Sequence, residues 1–343
     1  MVGSAHFPLK GIRTGRGYIL SLIVMGAALV LSILLSASVG VAGGSLRTLV
    51  HVLLYPNEPS EIGSIMLQMR MPRVLAACFT GAAFALAGGV MQGVTRNPLA
   101  DAGLLGINAG AGFLVALTAV VFPALPALGT MLFAFAGAAA AVLLVYGLGM
   151  GKQKAGSIRL ILAGSAVSAL LTALSQGISL TFGLSKDMSF WTAGSLSGIT
   201  WSGIRLTLPW IAGAGIVSLL LSGRLSVLAL GEDSAAGLGV NVSSIRLTGM
   251  AVVLILAGAS VSLVGGISFL GLIVPHIARA LVGEDYRRLL PQSALMGATL
   301  LVLADVAART VNAPFDTPVG ALVSAIGVPI FLVLTYRKRG AIL

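Results

Sequence analysis

Few residues in this sequence could do chemistry, and the spacing of most of them excludes it. No HExxH, CxxC or GxSxG pattern occurs, so zinc-hydrolase, dithiol and serine-hydrolase chemistry lack their residues. The nearest approach to a phosphate loop is Gly147-Leu148-Gly149-Met150-Gly151-Lys152. It misses the GxxxxGK[ST] spacing, and Gln153 stands where a magnesium-binding hydroxyl is required. The chain is therefore not expected to hydrolyse ATP, and no cofactor or metal is expected. The single cysteine, Cys78, lies in an apolar run and reads as a small packing residue.

Three ionisable side chains fall inside long apolar runs: Asp305, His276 and Arg279. Arg309 follows Asp305 by four residues, so the two can pair along one helix face. His276 follows Pro275, with Arg279 a turn later, and reads as packing or capping near a kink. Ion-coupled carriers keep ionisable groups near the membrane midplane, and their scarcity here argues against ion coupling. A secondary transporter stays open as the alternative. The segment Leu230 to Val240 carries Glu232 and Asp233 between Gly231 and Gly239. Acidic residues suit a helix start. Taken alone, this is either a solvated turn or a short rigid helix that transmits motion to a soluble partner.

The elements that must position these residues are set by composition. Of 343 residues 57% are hydrophobic and 9% charged, against roughly 25% charged in a soluble domain. A core of soluble size cannot hide that much apolar surface, whereas a bilayer can. Charge-free runs give an all-α membrane protein of ten transmembrane helices, 18–39, 74–95, 102–121, 130–150, 160–182, 206–223, 247–264, 267–283, 289–308 and 317–336, in a single domain over 1–343. Phe122-Pro123-Ala124-Leu125-Pro126 divides one run too long for a single crossing, and Gly265-Gly266 divides another. Small residues at a spacing of four, such as Gly81, Ala85 and Gly89, allow close helix approach in lipid.

Ten is even, so both termini lie on one side. With the termini in the cytoplasm, the outer segments hold Arg47, Arg70, Arg73, Lys186, Arg205 and Arg309, and the other 15 of the 21 Lys and Arg residues face inward. That asymmetry matches the positive-inside rule. The basic flank Lys10, Arg13 and Arg16 before the first span reads as an uncleaved anchor. A net charge of +11 reflects these loops and not nucleic-acid binding, since stacking aromatics are scarce. The outer segment 40–73, with His51, Tyr55, Pro56, Glu58 and Pro59, reads as a small interfacial cap.

Several blocks together resemble the FecCD-type permease family of bacterial ABC importers for iron–siderophore, haem and vitamin B12. They are Arg70-Met71-Pro72-Arg73, Gly88-Gly89-Val90-Met91-Gln92, Arg96-Asn97-Pro98-Leu99-Ala100, Leu104-Leu105-Gly106 and Leu230 to Gly239. Then follow Gly266 to Arg279, Ala304-Asp305 with Arg309, Pro318-Val319-Gly320 and Gly327-Val328-Pro329. The resemblance implies a vitamin B12 permease-like fold in the bacterial cytoplasmic membrane. It implies a second permease subunit, identical or related, two cytoplasmic ATPase subunits and one extracytoplasmic substrate-binding protein. It implies that Gly231, Glu232, Asp233, Ala235, Ala236, Leu238 and Gly239 form the ATPase coupling helix. Arg70, Arg73 and Arg309 match positions that meet glutamates of the binding protein, although pairing with Asp305 competes for Arg309. Span five and Phe190-Trp191-Thr192-Ala193-Gly194 would line the pathway, and Gly156, Ser157 and Ile158 would form its cytoplasmic gate. An iron–siderophore complex is the expected cargo, with haem or cobalamin left open.

Overall fold

A computed structural model describes residues 15–39, 45–55, 60–149 and 157–339. The predicted flank residues Lys10 and Arg13, the cap residues Pro56, Glu58 and Pro59, and Gly156 of the predicted gate lie outside them. All regular structure among the described residues is helical: α1 (Gly15–Ser38), α2 (Leu46–Leu54), α3 (Glu61–Ile65), α4 (Met71–Thr95), α5 (Ile107–Val121), α6 (Ala127–Gly149) and α7 (Ser157–Thr181). After these come α8 (Ser185–Thr192), α9 (Trp201–Ala229), α10 (Glu232–Gly237), α11 (Val242–Val264), α12 (Leu270–Val282), α13 (Tyr286–Thr310) and α14 (Val319–Arg339). Among the described residues seven helices are long and apolar enough to cross a membrane, one of them the continuous run Glu61–Thr95. Three shorter apolar stretches accompany them, Ile107–Val121, Leu270–Val282 and Val319–Leu332.

Each apolar helix overlaps one predicted span, and the ends differ for identifiable reasons. Predicted span 102–121 opens as a 3₁₀ turn at Ala102–Leu105, and left-handed Gly106 (φ 74°) delays α5 to Ile107. Predicted span 267–283 begins non-helically, because Phe269 is left-handed at φ 67° and α12 starts only at Leu270. Predicted span 206–223 stops short at both ends. The helix runs from Trp201 to Ala229 and includes Arg205 and Arg224, since long basic side chains near helix ends reach polar surroundings without breaking the helix. Predicted span 74–95 is preceded by a π-helical turn, Met66–Arg70, that joins α3 to α4.

α4 is the central helix, and small residues put it there. Its buried face includes Ala77, Gly81, Ala85, Gly88 and Gly89. A Cβ at Gly81 would strike the Gly297 carbonyl of α13, and one at Gly88 would strike the Gly271 carbonyl of α12. Backbones this close gain dispersion that lipid-facing side chains do not supply. α1 lies on the outside, with Leu20, Ile23 and Leu31 exposed toward what would be acyl chains.

Gly88→Ala should therefore lower the thermal midpoint of the detergent-purified protein, by roughly 1–3 kcal/mol of overpacking. Gly26→Ala in α1, where a new Cβ meets nothing within 4 Å, should leave it unchanged. Equal midpoints for the two variants would refute α4 as the tightly packed axis.

Candidate functional site

Where the C-terminal ends of α1 and α13 meet the N-terminal end of α4, charged groups are gathered inside the protein. Asp305 has no exposed surface. Arg73 Nε donates to Asp305 Oδ1 at 2.7 Å, and Arg309 Nη2 lies 3.1 Å from Asp305 Oδ2, an ion pair not aligned as a hydrogen bond. Arg73 also grips Asp316 with both terminal nitrogens, at 3.0 and 3.3 Å. Asp316 lies in the loop beyond α13. Partial burial would raise its pKa, but the hydrogen bonds and charge of Arg73, with Ser197 and Arg309, outweigh this and hold it low. Its ionic contribution is thus present above the ordinary carboxylate range and lost as pH falls through its lowered value.

The remaining donors serve the end of α1. Arg70 Nη1 lies 3.4 Å from the carbonyls of both Ala37 and Ser38. Arg309 donates to Val39 O and Ser36 O, each at 3.1 Å, and to Ser36 Oγ at 2.6 Å. Cations at a helix C-terminus meet its negative dipole end and its unpaired carbonyls. The three arginines are thus largely buried, Arg70 at 6% and Arg309 at 9% exposure, with partners inside the chain.

α5, α7, α8 and the segment Gly265–Phe269 line an open cleft of about 510 Å³. Its lining includes Asn108, Thr172, Ser175, Gln176, Thr192 and Ser268, and no charged residue. Of the predicted Phe190–Gly194 stretch, Trp191 and Thr192 line it. Three non-helical segments meet beside it. Ser195 N donates to Val264 O at 2.9 Å, Gly266 N to Trp191 O at 3.3 Å, and Gly320 N to Gly194 O at 3.5 Å. Irregular backbone at membrane depth is tolerated where protein buries it, and here Gly194, Gly265 and Gly266 are buried. α7 also turns Ser165, Thr172 and Gln176 outward, a polar stripe that lipid would not solvate. Ser157 and Ile158 of the predicted gate are the first residues of α7; their side chains lie outside those described.

On the other face, α10 is bracketed by Gly231 (φ 126°) and Gly239 (φ 75°), conformations that L side chains rarely adopt. Ala235 is fully buried and anchors the turn, while Asp233, Ala236 and Leu238 are exposed, Leu238 at 65%. Val240 N closes the turn on Ala235 O at 3.0 Å. Glu232 is pinned by Arg246 at 2.6 Å, with Arg96 at 3.9 Å. Sequence reasoning did not find the roles of Asp316, Gln92 or Tyr286. Their partners lie on other helices, and no local pattern announces them.

A family model described as the FecCD transport family matches residues 28–337. The chain is 45% identical over 326 residues to the iron(3+)-hydroxamate import system permease protein FhuB of Bacillus subtilis, covering 94% of this chain and 84% of that one. It is 40% identical to the hemin transport system permease protein HmuU of Yersinia pestis (92% and 96% covered). A solved metal-chelate type ABC transporter in an inward-facing conformation superposes with a TM-score of 0.80 at 28% identity, covering 92% of this chain and 98% of that one.

Asp305→Asn should cost roughly 3–5 kcal/mol, because it leaves two buried arginines without their shared anion. Thermal unfolding in detergent would register this as a large drop in midpoint; an unaltered midpoint would show that the network carries no stability.

Proposed function

The chain belongs to the FecCD transport family, and on that premise we propose that it is the membrane-spanning permease of a binding-protein-dependent ABC importer that carries a ferric siderophore across the bacterial cytoplasmic membrane. The observation that carries this reading is the cleft. A sizeable space lined by hydroxyl and amide groups, beside unwound backbone and without a charge, suits passage of a bulky chelate rather than its retention. A relative named for hemin transport at 40% identity makes haem the second cargo to test.

In this reading the chain crosses the membrane ten times with both termini inside, in keeping with the excess of basic residues in the inner loops. The polar stripe on α7 faces a second permease subunit, identical or related, across a shared pathway. Gly156, Ser157 and Ile158 close that pathway toward the cytoplasm. ATP hydrolysis takes place in two separate cytoplasmic subunits, since this chain has no phosphate loop. Each ATPase receives one Glu232–Gly239 segment, whose exposed Asp233 and Leu238 stand on an anchored, glycine-bracketed turn. The substrate-binding protein docks on the outer face over Arg70, Arg73 and Arg309. Because these side chains are mostly engaged internally, they act by shaping the rim and setting its positive potential, which steers an acidic partner. Asp305, shared between two arginines, is poorly placed to relay protons, and this favours ATP over an ion gradient as the energy source.

A deletion strain carrying the gene for this chain should regain uptake of iron-55 as a ferric siderophore. Leu238→Glu should abolish both that uptake and co-purification of the ATPase, with membrane insertion unchanged because the side chain is exposed. An ATPase that still co-purified with this variant would remove the segment from the coupling interface.

A further inference from the structure

α12 carries Pro275 in its interior. Proline has no N–H, so the carbonyl four residues earlier, that of Gly271, is denied the regular helical hydrogen bond that residue 275 would donate. Gly271 is buried, and no bulk water reaches it. The oxygen is turned onto α4, where it packs over Gly88. One turn further along α4, Gln92 Nε2 lies 3.5 Å from Gly271 O and 3.3 Å from Leu272 O, a donor shared between two carbonyls.

Gln92 is 1% exposed, and its other end is used as well. Oε1 accepts from Arg279 Nη1 at 3.1 Å, and Arg279 Nη2 donates to Tyr286 Oη at 3.4 Å. Arg279 belongs to α12 on the far side of Pro275, and Tyr286 opens α13. One glutamine of α4 therefore bridges the parts of α12 on either side of Pro275. The N-terminal end of α12 runs directly into Gly265–Phe269, where Gly266 and Ser268 line the cleft.

We infer that Gln92 is a positioning residue: it supplies from α4 the hydrogen bond that Pro275 denies to α12, and so joins α12 and the cleft wall ahead of it to the central helix as one rigid body. Without the glutamine, the Gly271 carbonyl loses its donor and the joint between α12 and α4 loosens, although the Gly88–Gly271 packing stays. With the glutamine in place, the shape change that opens and closes the cleft falls to the opposite wall, α7 and α8. The transport consequence rests on the pathway reading above; the joint itself does not.

The test compares wild type, Gln92→Leu, Pro275→Ala and the double variant. Each is reconstituted with its ATPase and permease partners in liposomes, the substrate-binding protein is supplied, and ferric-hydroxamate uptake is measured per ATP hydrolysed. Gln92→Leu should lower this ratio, by about tenfold if the joint loses the stability one unsatisfied buried carbonyl costs; Arg279, only partly buried, keeps Tyr286. Alanine at 275 restores an N–H for Gly271, so the double variant should return to within about twofold of Pro275→Ala alone. A ratio unaltered by Gln92→Leu, or a double variant as impaired as Gln92→Leu, overturns the inference. The same four proteins give a thermal-stability cycle that needs no cargo. Coupled losses support the joint and additive losses overturn it, even if wild type moves no ferric hydroxamate and the proposed cargo is wrong.

Discussion

Inside a bilayer, a backbone carbonyl that loses its donor has no water to turn to. Much of this fold is arranged around that constraint. The last carbonyls of α1 are received by Arg70 and Arg309. Leu67, in the π-helical turn before α4, offers its carbonyl to Trp201 Nε1 at 2.9 Å. Trp191 O, at the end of the short α8, takes two donors, Gly194 N and Gly266 N. At these places an irregular or terminal carbonyl is met by a donor from elsewhere in the chain. Several of the interruptions sit beside the cleft, where unwound backbone contributes polar lining without an ionised group.

The two faces handle charge in opposite ways. At the ends of α1 and α13, Asp305 is buried between two arginines and Asp316 closes the rim. The surplus positive charge there rests against the C-terminal dipole of α1. Pairs desolvated to this degree are costly to separate, which makes this end of the bundle stiff. At α10, Glu232 and its two arginines are each 39–46% exposed. Exposed pairs contribute little, so α10 is held by weaker contacts that can rearrange. One end of the bundle is thus fastened by buried charge, and the other is left adjustable.

Much of the architecture was legible in the sequence because the bilayer imposes a strong compositional rule. The break at Pro123–Pro126 and the turn at Gly265-Gly266 follow from local chemistry, and the helices end near both. Boundaries set by charge were less faithful. Arg205 and Arg224 are helical, because a basic side chain near an end extends outward without ending the helix. The late starts of α5 and α12 depend on left-handed Gly106 and Phe269, and no propensity marks Phe269 for that conformation. The site was visible in pieces. Gly88 and Gln92 stood in one block, and Gly271, Pro275 and Arg279 in another, yet nothing local told that the blocks interlock across 179 residues. The pairing of Asp305 with Arg309 could be read at a spacing of four; that with Arg73, 232 residues away, could not.

The arginine contacts that finish α1 set an order for biogenesis. Ser36 is held by Arg309, 273 residues later in the chain. At ribosomal speeds of about 5–20 residues per second, on the order of half a minute separates the emergence of the two. During that interval the Ala37 and Ser38 carbonyls already have Arg70, which follows within seconds, but those of Ser36 and Val39 await Arg309. Headgroups and interfacial water must serve those two until α13 arrives. The end of α1 is therefore fastened in two stages, the second only once α13 has been made.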